Sequence, residues 1–200
     1  MTLTLMLQAS NGVPALALGR GGEIVFDSSK IETLVGSRDY RMLLETGLSE
    51  IGAALHDITR IACDIGPGGL GVTRTAAAFA NGLGFALGLP VQAVPAFVLL
   101  GAEVVKNKPV VILRKAARPH VHFGIYEDGR LVDYEHCLQK EALARIATIP
   151  DYDLAGNVEI VGHEPPVTNM ASMETFLSYL LAQPEAEPDA RAWPIVEVLS

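Results

Sequence analysis

An α/β fold is what this sequence predicts, and three observations carry the prediction. The first 27 residues alternate in period two between turn signals, and residues 37–55 switch to a helical period. A glycine-rich loop then joins an apolar strand to a helix of small residues. Composition agrees, because a chain that is 50% hydrophobic and 19% charged has the makings of a buried core and not of a disordered segment. Its 200 residues suffice for one sizeable core or two small packed lobes.

Taken in order, Leu3, Leu5 and Leu7 alternate with Thr4 and Met6, which predicts a first strand ending near Gln8. Asn11-Gly12 is a hairpin signal, so residues 14–18 form the second strand. Gly19 to Gly22 turn the chain again, and Glu23 to Asp27 complete an antiparallel meander. Ser37 is the expected N-cap of a first helix, with Asp39 in its first turn and Leu44, Leu48, Ile51 and Leu55 along its apolar face. Residues 58–65 form a strand, residues 66–71 the glycine loop, and residues 72–87 a second helix that Pro90 ends. Residues 91–94 are a short strand, and Pro95 opens a third helix. Three strands followed by helix, strand, helix, strand, helix is the order of a ribonuclease-H-like lobe.

The second half is less regular. Strands are expected at residues 110–113, 120–126 and 131–136, the last two joined by the turn Glu127-Asp128-Gly129-Arg130. A short helix follows at residues 140–146 and a strand at residues 158–161. Met170, Met173, Phe176, Leu177, Leu180 and Leu181 define an amphipathic helix whose methionines are core packing. Residues 184–192 read as a polar linker, and residues 193–199 as an apolar tail that docks back. No tandem repeat is visible.

A net charge of −8 makes the surface repel phosphate backbones, so tight nucleic-acid binding by this chain alone is not expected. A partner carrying basic surface would change that. Cys63 and Cys137 lie far apart in no ligand spacing and read as buried thiols in a reducing compartment. The apolar first residues lack a charged n-region, and no apolar run approaches the roughly 20 residues of a membrane span. These features predict a cytoplasmic protein without a membrane segment.

Gly66-Pro67-Gly68-Gly69-Leu70-Gly71 formally matches G-x-G-x-x-G. A dinucleotide site would also carry an acid at the end of the next strand, where this chain has Pro90-Val91-Gln92-Ala93. No Gly-Lys-Ser/Thr follows, which excludes a Walker A loop. The first reading of the glycines is a sharp strand-to-helix turn. The second is a phosphate-facing loop using Gly66, Gly68 and Gly69. In the helix beyond, Ala76, Ala80, Gly84 and Gly88 recur every four residues. Gly82, Gly84 and Gly88 each cost about 1 kcal/mol relative to alanine in a helix interior, so something must offset them. Either this face packs on the chain's own sheet, or it is a helix–helix interface with Phe79 and Leu83 as knobs.

At these residues the sequence resembles the TsaB (YeaZ) family of the tRNA threonylcarbamoyladenosine pathway. The aligned stretch runs Gly66-Pro67-Gly68-Gly69-Leu70-Gly71-Val72-Thr73-Arg74, continues with Ala80-Asn81-Gly82-Leu83, and reaches Gly88-Leu89-Pro90-Val91. The resemblance is good over the first half and weak over the second. It implies an actin-like (ASKHA) fold of two lobes, residues 1–107 and a smaller, degenerate 108–200 with a docked tail. It further implies a subunit without catalytic or metal-binding residues of its own. The partner would be a TsaD-type enzyme, which transfers threonylcarbamoyl to adenosine 37 of tRNA, joined by a TsaE-type P-loop ATPase. The partner surface would comprise Leu44, Leu48, Arg74, Ala76, Phe79, Ala80, Leu83 and Gly84. No cofactor is expected on this chain alone; ATP or ADP would sit at an interface of the complex, and the free chain would homodimerise.

This sequence departs from the family at several positions. The family's first strand ends in Asp-Thr, whereas Gln8 is followed here by Ala9-Ser10. An amide does not supply the charge that helps hold Mg²⁺. Gly69 and Gly71 replace hydroxyl residues of the family loop, Val72 replaces its glycine, and Arg114-Lys115-Ala116-Ala117 replaces an Asp-Ala-Arg pattern. Two other readings stay open: a nucleotide-dependent kinase or transferase of the actin-like superfamily, and a homodimeric structural paralogue. Among other polar residues, His120 and His122 share a strand face and are expected to be a solvent-facing pair without a third ligand. His56-Asp57 and His163-Glu164 read as cap and loop residues. Ser10, Ser37 and Ser49 lack the G-x-S-x-G setting of a hydrolase.

Overall fold

Alternating leucines become a central strand because both faces of their sheet are covered. In a computed structural model of the protein, which describes residues 2–104 and 107–195, β1 (Leu3–Gln8) is buried at every position. It pairs antiparallel with β2 (Ala15–Arg20), which pairs antiparallel with β3 (Glu23–Asp27). On its other side β1 runs parallel to β4 (Ile58–Asp64), and β4 runs parallel to β5 (Val91–Val94). The order is β3-β2-β1-β4-β5. Parallel neighbours require crossovers, supplied by α1 (Tyr40–Glu50) and α2 (Leu70–Leu87). Leu3, Leu5 and Leu7 meet Leu43, Leu44, Leu48, Ala76 and Ala80 in one apolar core.

The second sheet, of order β8-β7-β6-β9, begins with the same meander. There β6 (Val110–Lys115), β7 (His120–Glu127) and β8 (Arg130–Leu138) run antiparallel, and β9 (Asp153–Gly156) lies parallel to β6. On one face α3 (Ala96–Val104) places Phe97, Leu100 and Val104 against Val110, Ile112 and Tyr126. On the other, α4 (Gln139–Ile146) packs Ala142 and Ile146 against Val111, Leu113, Val121 and Phe123. The fold is thus the mixed α/β, actin-like one, with a second sheet one strand smaller than the first.

The chain divides elsewhere than at the expected 107/108 boundary. Among the described residues one compact unit comprises residues 2–95 and Met173–Ile195, the other Ala96–Ser172. The reason is packing. Helix α3 belongs to the second core, while α5 (Met173–Leu181) returns to the first, where Leu177 lies over Gly19 of β2.

Several local expectations are corrected. The N-cap of α1 is Asp39, whose Oδ1 accepts from the Met42 N–H at 3.0 Å, while the Ser37 hydroxyl accepts from the Asp39 N–H. Gly52, at φ +62°, stops that helix, so Ile51 is its C-cap and Leu55 stands exposed in a 3₁₀ turn. Residues 158–161 form no strand. The partner of β6 is Asp153–Gly156, where Leu154 and Ala155 are buried, Gly156 at φ +110° breaks the strand, and Val161 is fully exposed. Met170 precedes α5, and Leu181 is exposed.

The polar linker is not free either. The Ala190 carbonyl accepts from Val91 N–H at 2.9 Å, and Ala192 is fully buried in the first core. Asn81 holds Ala192 at both backbone groups, at 2.8 and 2.9 Å. The Ile195 N–H donates to Ile65 at 2.8 Å, while Trp193 is 75% exposed. Residues 196–199 of the expected tail lie outside the described residues.

Candidate functional site at the glycine loop and helix α2

The C-terminal ends of β1 and β4 lie side by side, and two loops leave from them. Asp64, the last residue of β4, is fully buried and organises both. Its Oδ2 accepts from the N–H groups of Ser10 at 3.0 Å and Ala9 at 3.4 Å, and its Oδ1 accepts from Gly66 N–H at 2.8 Å. Three backbone donors compensate the desolvated carboxylate. Gly66 reaches the required turn at φ +87°, and Gly69 N–H donates to the Ser10 carbonyl at 2.9 Å. The Thr73 hydroxyl closes the first turn of α2 on the Gly69 carbonyl at 2.9 Å.

This geometry narrows the phosphate-facing reading of Gly66, Gly68 and Gly69. The N–H groups of Gly66 and Gly69 are engaged by the Asp64 carboxylate and the Ser10 carbonyl, so two of the three proposed donors are not available to a ligand. The glycines serve the turn and the close approach of the β1–β2 hairpin. A Cβ on Gly69 would stand 3.1 Å from Val72 Cγ2 and 3.5 Å from Gly12 Cα. Nor do the residues fit a magnesium–nucleotide site of the kind the actin-like fold implies. Gln8 is 3% exposed, its side-chain oxygen has no hydrogen-bond partner among the described residues, and an amide brings no charge. The neighbouring carboxylate, Asp64, is engaged by backbone. Among the described residues no group of three His, Cys, Asp or Glu side chains could hold a metal ion.

The expected partner surface is likewise redistributed. Leu44, Leu48, Ala76, Ala80 and Gly84 are buried in the chain's own core. The stripe is small because β5 approaches it. A Cβ on Gly84 would lie 2.7 Å from Val91 Cγ2 and 2.9 Å from the Leu89 carbonyl oxygen. Phe79 stacks on Tyr40 of α1 with ring centroids 5.5 Å apart, and Leu83 is half-buried beside it. Burial raises the Tyr40 phenol's pKa well above its usual value. Of the eight expected residues Arg74 alone is exposed, and it shares the outer face of α2 with Gly71, Thr75, Ala78, Gly82 and Phe85. Phe85 is 82% exposed, an apolar ring on an otherwise smooth surface.

The histidine expectation changes too. His120 is half-exposed, but His122 is buried because β7 is an interior strand, and its Nδ1 lies 3.0 Å from the Tyr134 hydroxyl. A third imidazole, His136 of β8, lies with its centroid 5.0 and 5.1 Å from those two. His56 is exposed beside Asp57, which caps its own 3₁₀ turn by accepting from Ala54 N–H, and His163 lies 2.9 Å from the Tyr152 hydroxyl. Both cysteines are free and buried, and burial pushes the Cys63 thiol well up.

Asp64 and Asn81 went unnoticed in sequence. The signal for Asp64 was an acid two residues before a Gly-Pro-Gly turn, a position where a carboxylate gathers backbone N–H groups. Asn81 had no local signal, because its partner lies 111 residues away.

Comparison with known structures agrees with this fold. A Pseudomonas aeruginosa protein described as uncharacterized with similarity to peptidase YEAZ superposes with a TM-score of 0.73 at 24% identity, covering 98% of this chain and 99% of that one. YeaZ from Pseudomonas aeruginosa gives 0.71 at 22% identity, covering 98% of this chain and 100% of that one. Both extend the TsaB (YeaZ) resemblance of the loop and helix to the fold of the whole chain. No curated protein matches the sequence. No helix among the described residues is long and apolar enough to cross a membrane. The family model described as TsaD: tRNA N6-adenosine threonylcarbamoyltransferase matches residues 38–171, well over half of the sequence, and the chain belongs to that family.

Proposed function

We propose that the chain is a non-catalytic, TsaB-like subunit that supports a TsaD-type enzyme in threonylcarbamoyl transfer to adenosine 37 of tRNA. Family membership supports the pathway. The single observation that carries the non-catalytic role is Asp64. The carboxylate at the ends of the central strands is held by three backbone amides, and its neighbour Gln8 is neutral. Metal-assisted phosphoryl chemistry lacks its acid there.

The partner surface is the outer face of α2. Ala78 and Gly82 let another helix approach, Phe85 supplies the apolar anchor and Arg74 the charge. A TsaE-type ATPase would join the pair, with nucleotide at an interface of the complex and not on this chain alone. The same face lets the free chain homodimerise.

Co-purification of tagged chain with its cognate TsaD-type enzyme tests the reading. Wild type captures the enzyme, while Phe85→Asp and Gly82→Leu do not; Phe85→Asp keeps the wild-type unfolding midpoint within about 2 °C, and Gly82→Leu raises it by about 1–4 °C as a better helix former replaces glycine. Capture by both variants at wild-type levels moves the interface elsewhere. Failure of the wild type to capture the enzyme in any nucleotide condition, with tight Mg-ATP binding by the isolated chain in calorimetry, replaces this reading with a nucleotide-dependent kinase or transferase.

A further inference from the structure

A cavity of about 390 Å³ lies in the second unit between the β6–β7 hairpin, the start of α4 and the segment after β9. Lys115, Arg118, His120, Gln139 and Asn157 bring cations and amides to it, and Glu159 is its one acid. These two cations lack the ion pairs that several others among the described residues have. Elsewhere Lys30 pairs with Asp27 and Glu174, Arg41 with Glu45, Lys108 with Asp151 and Asp153, and Arg145 with Asp133 and Glu135. Among the described residues neither Lys115 nor Arg118 has a carboxylate within ion-pair distance, and Glu159 bridges to neither. In a protein of net charge −8, two uncompensated cations converging on one cavity mark a place for an anion.

The walls are held by backbone and are therefore preformed. Asn157 Oδ1 accepts from Lys115 N–H at 2.8 Å, which fixes the amide and leaves its Nδ2 as a donor. The Leu113 carbonyl accepts from Asn157 N–H at 3.0 Å, and the Pro119 carbonyl from Gln139 N–H at 3.1 Å. The hairpin closes on itself through His120 N–H to the Ala117 carbonyl at 2.9 Å. A point charge, a planar guanidinium fork and two amide donors around one space match the oxygens of a phosphate ester.

We propose that this cavity is a phosphate-ester subsite, and that its occupant is a backbone phosphate of the RNA substrate. The identity of the occupant rests on the function proposed above; the phosphate chemistry does not. Two cations make the contact weak, so RNA is held firmly only when a partner supplies further contacts. Neutralising that one phosphate contributes about 0.7 to 0.9 to the slope of log affinity against log salt, the range spanning single strands and duplex.

The test titrates the full chain with inorganic phosphate, with ATP and with an unmodified anticodon stem-loop RNA. Binding is followed by NMR at the amides of residues 115–121 and at the Asn157 and Gln139 side chains. All three probes are expected to shift these signals, the RNA at the lowest concentration. Lys115→Ala with Arg118→Ala lowers RNA affinity about tenfold and flattens the salt slope by the amount above, whereas Glu159→Gln strengthens binding two- to threefold. Shifts with phosphate and ATP but not with RNA keep the phosphate chemistry and overturn the RNA assignment in favour of a nucleotide. Silence from all three probes, or RNA binding undiminished in the double variant, overturns the subsite. Capture of the TsaD-type enzyme is unchanged in the double variant. Lost capture with intact phosphate binding would therefore count against the proposed function and not against the cavity.

Discussion

Adding one methyl group to α2 at two positions two residues apart should move stability in opposite directions. Gly82 and Gly84 both sit in the helix interior, where glycine costs roughly 1 kcal/mol relative to alanine. A Cβ on Gly82 meets nothing within 4 Å, so Gly82→Ala recovers most of that cost and stabilises by about 0.5–1 kcal/mol. A Cβ on Gly84 stands 2.7 Å from Val91 Cγ2 and 2.9 Å from the Leu89 carbonyl oxygen. Val91 is fully buried in β5. The Leu89 backbone is tied to the helix end by its own N–H to the Gly84 carbonyl at 2.8 Å. Neither neighbour yields freely, and overpacking of this kind costs about 1–3 kcal/mol against the same helix gain. The two variants should differ by about 1–3 kcal/mol, and at roughly 2–4 °C per kcal/mol for a chain of this length the gap is about 2–12 °C. Thermal unfolding followed by circular dichroism reads it directly. Equal shifts of the same sign in both variants would show that α2 does not rest on β5 through Gly84, and the assignment of the small-residue stripe to the chain's own core would fall with it.

Asp64→Asn keeps the volume but loses an acceptor to three backbone donors, and should destabilise by about 2–4 kcal/mol in urea titration, with faster exchange at the Gly66 amide. A change under about 0.5 kcal/mol would mean the carboxylate does not join the two loops. Asn81→Ala removes both bonds to Ala192 and should cost about 1–2 kcal/mol, with Ala192 amide exchange accelerated while the amides of β1 stay protected. Uniform acceleration would contradict a local fastening. Burial raises the Cys63 thiol's folded pKa, so the folded state keeps a proton that the unfolded chain loses above about pH 8.5. The stability from that proton is complete below this pH and falls above it by up to about 1.4 kcal/mol per pH unit. Cys63→Ala should flatten the alkaline decline between pH 8.5 and 10, and an unchanged slope would assign the decline to other groups.

The first sheet was legible because its signals are local. Period-two leucines, Asn-Gly, and a glycine loop before a small-residue helix each name an element without help from distant sequence. What escaped was whatever depended on the far side of a contact. The stripe of Ala76, Ala80 and Gly84 looks the same whether Val91 or another protein faces it, so the sequence offered both readings and only packing decides between them. Val158 and Val161 have stronger strand propensity than Asp153–Gly156, yet the register of β6 selects the latter, where Lys108 accommodates Asp153 at 3.3 Å. His122 was expected in solvent because its strand was not known to lie between two others. Asp39 displaced Ser37 as N-cap by two residues, within the range over which short polar side chains compete for the same donors.

The path of the chain through its two compact units also has a consequence for synthesis. The first unit begins at the N-terminus but is completed by Met173–Ile195, so the whole of Ala96–Ser172 is inserted into it. A nascent chain exposes the face of β2 around Gly19 that Leu177 will cover, and the pocket for Ala192, until the second unit has been made. At roughly 5–20 residues per second, that interval is on the order of ten seconds. The second unit, Ala96–Ser172, is continuous in sequence and has its core-forming elements together first. The order of maturation is therefore expected to run against the order of translation, with the N-terminal sheet the last to be sealed.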